Sequence, residues 1–232
     1  MPKKKRPAAV TRKPRRFLKA AIVLTCCLLL VPVIQVAGIR YGDPPTTVPI
    51  LLSGSAKYEW KNIEEIPAVF LKHCLVAEDQ RFFQHRGFDW REMEIATNEA
   101  GAKGKPARGA STITMQCARS VFLWQGRSWV RKGLEAYYTV LMETLLSKKR
   151  ILEIYANVIE MGDGIYGIEA GSKHHFGISA NLLTREQSAI LVALLPNPRG
   201  RNPKHPTPAL LARQKMILRR EAGYPFPVRL LR

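Results

Sequence analysis

The chain has 232 residues, room for one good-sized domain, or one domain and an anchor, but not for several domains. Its formal net charge of +19 implies an anionic partner: nucleic acid, acidic lipid headgroups or a phosphate-bearing substrate. The cysteines at 26, 27, 74 and 117 have no metal-ligand spacing and no disulfide framework, and Cys74 and Cys117 read as plain buried apolar residues.

Residues 1–19 hold nine basic side chains and no acid. They form a basic tail, yet the rest of the chain still has 28 basic residues against 18 acidic ones. From Ala20 to Gly38 the chain is uncharged over about the length that crosses a bilayer core. The run is long for a cleaved signal peptide, and no clean small-x-small site follows it. It reads as a transmembrane signal-anchor. Basic residues ahead of it place the N-terminus in the cytoplasm and everything after Arg40 outside. In a bacterium the remainder is then a periplasmic domain tethered to the inner membrane, away from nucleic acid.

Residues 39–54 are rich in proline and read as an extended linker, and 55–232 as the soluble domain. Ile66, Val69, Phe70, Cys74 and Ala77 recur at helical spacing, which puts Glu78 at a helix C-terminus. A short helix over 90–98 and a glycine-rich loop over 98–109 follow. Ser111 opens a helix through about Leu123, and Ser128 opens a longer one. A helix over 148–158 leads into a glycine-spaced turn and a helix ending near Phe176-Gly177. Thr184 and Gln187 have capping-box spacing for a helix through Leu195, stopped by Pro196 and Pro198. Strand signals are weak, so the fold class is mainly α, with no internal repeat.

Three stretches have residues suited to chemistry. In LVAEDQRFFQHRGFDW, Glu78 stands beside Asp79 and near Phe82 and Phe83. Partial desolvation there raises a carboxyl's affinity for protons and suits a general base or acid, while pairing with Arg81 is the bland alternative. In SWVRKGLEAYY, Arg131 and Glu135 share a helix face, as many surface ion pairs do. In GASTITMQCARSVF a Ser-Thr pair opens a helix with Gln116 and Arg119 three apart. Helix N-termini bind anions, though such a pair is more often only a cap.

Taken in order, these stretches resemble the family of peptidoglycan glycosyltransferases that polymerise lipid II, and within it the monofunctional members with one membrane helix and one catalytic domain. The first motif matches Glu78, Asp79, Phe82, His85, Gly87 and Asp89. The second matches Gly109, Ser111, Thr112, Ile113, Thr114 and Gln116. The third matches Arg131, Lys132 and Glu135 and continues through Ser147, Lys148, Ile151, Leu152, Glu153 and Asn157. The fourth matches Gly162, Gly167, Ala170, Phe176 and Gly177, and the fifth Leu195, Pro196 and Pro198. The resemblance spans about 55–220. Met115 stands where the family has glutamine, Arg119 where it has lysine and Ser120 where it has asparagine.

The resemblance implies a lysozyme-like, two-lobed α-helical domain. It implies inverting transfer from lipid II, which builds β-1,4-linked glycan strands and releases undecaprenyl pyrophosphate. Glu78 is then the general base and Glu135 the second catalytic carboxylate, either holding Arg131 or binding a metal. Arg119 and Arg131 stabilise pyrophosphate. Ser111, Thr112 and Gln116 line the donor site, Lys148 reaches phosphate, and Asp79 and His85 orient neighbours. No cofactor is required, and a divalent cation, magnesium or manganese, is the one the resemblance admits. The implied partners are lipid II, the lipid-linked glycan chain, the inner membrane and other cell-wall synthesis or division proteins, with no nucleic acid. The 98–109 loop is expected as a flap over the cleft, with Trp60 or Phe70 dipping into the membrane interface. After Arg220 too few residues remain for a transpeptidase, so cross-linking and penicillin acylation are not expected. The competing readings are a lytic transglycosylase or muramidase, and a catalytically weakened membrane scaffold.

Overall fold

The computed structural model describes residues 13–104, 109–126 and 128–227. Helix α1, Lys13–Tyr41, contains Pro32 and is the one described helix long and apolar enough to cross a membrane. Within its apolar stretch Phe17–Tyr41 an 18-residue window has a mean hydropathy of 2.6. At about 1.5 Å per residue the whole stretch outreaches the ~30 Å hydrocarbon core. Most of its apolar side chains are exposed, which fits a single-pass anchor, while Val36 and Ile39 are buried.

The buried end of α1 is clamped to the domain. Helix α2, Val48–Ser53, lies within the segment expected to be an extended linker. Thr47 caps it and Pro49 sits in its first turn, a position where proline costs a helix nothing. Arg150 is the main clamp. Its Nε donates to the Ile39 carbonyl at 3.0 Å and its Nη2 to the Gly42 carbonyl at 2.7 Å. It also pairs with Asp43 at 3.0 Å and Glu153 at 2.6 Å and stacks 5.2 Å above the Trp60 ring. Trp60 is thus held by a cation, and Phe70 is wholly buried. Phe70 therefore has no free surface with which to dip into a membrane, while Trp60 is half-buried and packed against the core.

The domain proper is mainly helical. Its helices are α3 (Ala68–Glu78), α4 (Trp90–Lys103), α5 (Ile113–Phe122), α6 (Trp129–Leu145), α7 (Lys148–Val158), α8 (Ile168–Phe176), α9 (Arg185–Leu194) and α10 (Pro208–Ala222). The expected capping box on α9 is present in full. Apolar faces of α3, α5, α7 and α9 meet in one core that includes Phe70, Leu71, Cys117, Leu152 and Leu191. Cys74 and Cys117 are buried and free. Tyr137 on α6 donates to the Leu29 carbonyl at 2.7 Å, so α6 lies along the anchor.

Three findings depart from the sequence reading. α4 runs to Lys103, so half of the expected flap is helix. The helix runs through Gly101, where a side chain would also fit, and residues 105–108 lie outside the described residues. A small sheet exists in the order β1-β3-β2, from Lys57–Tyr58, Ile165–Tyr166 and Glu160–Gly162. Strands of two or three residues are too short to show alternation. Helix α10 is an addition. Thr207 and Pro208 mark its start, and Leu210 and Ile217, two turns apart, are its buried stripe.

Candidate active site

Glu78 ends α3. Its Oε2 accepts from Gln116 Nε2 at 3.0 Å, and its Oε1 accepts from Arg213 Nη2 at 2.7 Å. Burial pushes its carboxyl above the usual carboxylate range, and the Gln116 and Arg213 donors only partly offset this. Arg81, its partner in the alternative reading, turns instead to Asp89 at 3.3 Å and Gln84 at 3.3 Å. The Tyr155 hydroxyl, fully buried, donates to Gln116 Oε1 at 3.3 Å. Burial and the nearby Glu78 carboxylate keep that phenol protonated, while Arg119 acts the other way. Glu78, Gln116 and Tyr155 are therefore neighbours, and Arg119 lies close enough to act on Tyr155. Arg119 makes no side-chain hydrogen bond or ion pair among the described residues, so its charge is available to a ligand.

Asp79 is committed to structure. Its Oδ2 accepts the Ile113 N–H at 2.9 Å, and its carboxylate meets His85 Nε2 at 2.9 and 3.1 Å. Thr112, not Ser111, caps α5, accepting from the Met115 N–H and donating to the Gly87 carbonyl at 2.6 Å. These bonds fasten the acidic segment to the start of α5 and so bring Gln116 to Glu78. Gly87, at φ +88, lets that segment touch α6, because a Cβ there would stand 2.7 Å from Thr139 Cγ2. Met115 is buried and is not in the walls of the cavity beside Glu78.

A cavity of about 520 Å³ opens beside these residues. Its walls include Glu78, Asp79, Arg81, Asp89, Ser111, Thr112 and Arg220. Arg119, Arg131 and Glu135 are not in its walls. Glu135, on α6, is fully buried, with Arg131 Nη1 at 2.8 Å and Lys132 Nζ at 2.7 Å on its two oxygens. Arg131, Lys132 and Glu135 thus form a separate cluster. Lys148 joins neither group. It pairs with Glu143 at 2.8 Å and lies 4.2 Å above the Phe82 ring.

The sequence reading missed Arg213 and Glu143. Arg213 was hidden with its unrecognised helix, although the Thr-Pro start and the Leu210–Ile217 spacing were a signal. Glu143 takes Lys148 from five positions further on, and the Thr114 hydroxyl from 29 positions back, a contact that only the packing of α5 against α6 makes.

The helical domain thus holds a desolvated carboxylate between an amide and a guanidinium in a cavity wall, an arrangement suited to moving a proton at a bound ligand. Residues 47–222 match the model of the transglycosylase family, and the chain belongs to that family. A biosynthetic peptidoglycan transglycosylase of Xanthomonas campestris pv. campestris (strain B100) is 40% identical over 91% of this chain and 89% of its own length. Its namesake from Brucella suis biovar 1 is 44% identical over 80% and 84%, and that from Caulobacter vibrioides is 45% identical over 79% and 82%.

Proposed function

We propose that this peptidoglycan transglycosylase polymerises lipid II into β-1,4-linked glycan strands, with Glu78 as general base and undecaprenyl pyrophosphate as the leaving group. The observation that carries the reading is the Glu78 carboxylate, desolvated and oriented through both oxygens. A carboxylate offers about four lone-pair sites, and Gln116 and Arg213 occupy two. The others accept the proton of the acceptor's 4-hydroxyl as that oxygen attacks C1 of the lipid-linked MurNAc. C1 inverts, and the pyrophosphate leaves with the bonding electrons. The leaving group is already an anion, so it needs positive charge more than a proton. Arg119, one helical turn along α5 from Gln116 and without a side-chain partner among the described residues, supplies it. Arg131 serves the same charge from α6, once substrate draws it from Glu135.

No step is routed through a metal. Both Glu135 oxygens hold cations, so a magnesium or manganese ion there has to displace Lys132 or Arg131. Asp79, His85 and Asp89 place ligand atoms within 4.8 Å of one another, but Arg81 lies against Asp89 and the Ile113 N–H occupies Asp79. α1 serves as a single-pass anchor in the inner membrane, N-terminus inside, which holds the domain where a lipid-linked substrate resides.

The test is polymerisation of labelled lipid II in detergent, wild type beside Glu78→Gln. The wild type makes lysozyme-sensitive glycan. The variant loses at least the ~10²–10⁴-fold that a positioned base contributes. Glycan made at the wild-type rate by the variant removes Glu78 from the chemistry.

A further inference from the structure

A second cavity, of about 690 Å³, continues from the first along the C-terminal half of α10. The two share Val76, Gln80, Arg81 and Arg220 as a common wall. The far side is made by Phe83, Gln84, Arg219, Tyr224 and the prolines that follow α10. Arg219 and Arg220 are exposed and have no side-chain hydrogen bond or ion pair among the described residues. Two cations in the last turn of a helix complement its negative end, which accounts for their sign but not for the cavity they border. Tyr224 fixes the floor, donating from its hydroxyl to the Gln80 carbonyl at 3.1 Å. Burial pushes its phenol up to about 12, so it remains a donor.

The helix sets the geometry. Arg213 and Arg220 are seven residues apart, two turns, and lie on one face about 10.5 Å apart along the axis. One face of α10 therefore carries a guanidinium to Glu78 and another to the second cavity. A peptide of five residues reaches up to about 17 Å. A stem hanging from a sugar beside Glu78 thus spans the distance easily.

On the reading that the substrate is lipid II, we infer that this second cavity is a subsite for the peptide stem, with Arg219 and Arg220 receiving its carboxylates. Gln80 and Gln84 add amide groups suited to peptide N–H and C=O. No residue there has the placement of a base or nucleophile, so the site binds and does not react.

The experiment uses the full chain in detergent and two lipid II preparations, one with free stem carboxylates and one with those carboxylates amidated. Amidation is expected to raise KM about tenfold, the size of one lost charge-assisted hydrogen bond, with kcat within about twofold. Arg219→Ala combined with Arg220→Ala is expected to show that raised KM with both substrates and to be indifferent to amidation. A wild-type circular-dichroism spectrum and melting temperature show that it folds. A second arm needs no turnover. Soluble N-acetylmuramyl-pentapeptide is titrated into wild type and double variant, and the Kd is expected to rise about tenfold in the variant.

Equal KM for the two substrates in the wild type, or peptide binding unaffected by the variant, overturns the inference. So does a variant whose only change is weaker inhibition by undecaprenyl pyrophosphate, since phosphate is then the anion. If the wild type makes no glycan from either substrate, the polymerase reading falls instead, and the peptide titration still decides this one.

Discussion

Removing the guanidinium that faces Glu78 separates two roles for it. At an effective dielectric of about 20, unit charges about 4 Å apart interact by about 4 kcal/mol. The pair is tighter than that, at 2.7 Å between atoms, but its side chains are 25% and 14% exposed, and water screens part of the gain. About 1–3 kcal/mol remains, in the range of a hydrogen bond between charged groups. Arg213→Ala removes it, and the Glu78 carboxyl, already raised by burial, rises further. A general base works only when ionised. The variant is therefore deficient at the acid end of the pH–rate profile, by about ten- to a hundredfold at about 1.4 kcal/mol per decade. The deficit closes as pH rises, and the acid limb moves to higher pH. Arg213→Lys retains the charge and recovers most of the wild-type profile. Initial rates of lipid II polymerisation across the pH range give the answer. An equal deficit for Arg213→Ala at every pH refutes the reasoning and gives Arg213 to substrate binding.

Arg150→Ala breaks the clamp on α1 at a site only 15% exposed. A loss of about 3 kcal/mol is expected from its bonds to two carbonyls and two carboxylates. In a domain of this size that lowers Tm by about 6–12 °C, read by calorimetry in detergent. A shift under about 2 °C counts against the clamp. Glu135→Ala leaves Arg131 buried without its partner and costs about 3–5 kcal/mol in denaturant unfolding. Glycan synthesis retained with a fully stable fold removes Glu135 from both structure and chemistry. Gly167→Ala places a Cβ 2.3 Å from the Asn157 carbonyl oxygen at φ +83. It destabilises by about 2–5 kcal/mol, and a wild-type melting curve refutes that contact.

The helices with clear caps were legible in the sequence. Ser128, Ser147 and Thr184 each cap the helix that follows them, because a hydroxyl at that position satisfies a backbone donor that nothing else reaches. Glu78 at a helix end and the Arg131–Glu135 pair four apart were also local facts. The linker helix and α10 were not read. Prolines at 49 and 208 look like punctuation, although the first turn of a helix accepts them.

By itself the sequence determined an apolar N-terminal helix long enough to cross a membrane, a mainly helical domain and the family, since these depend on composition, period and the order of motifs along the chain. Tertiary structure decided which motif residues meet. It brought Arg213 to Glu78 across 135 positions and Gln116 across 38. It assigned Asp79 and Thr112 to fastening a helix start, and it enclosed Glu135 among its own cations. These outcomes depend on how helix faces pack and on what each buried polar atom finds within reach. Hydrogen bonds and desolvation act over a few ångströms in space, and separation along the chain does not encode that distance.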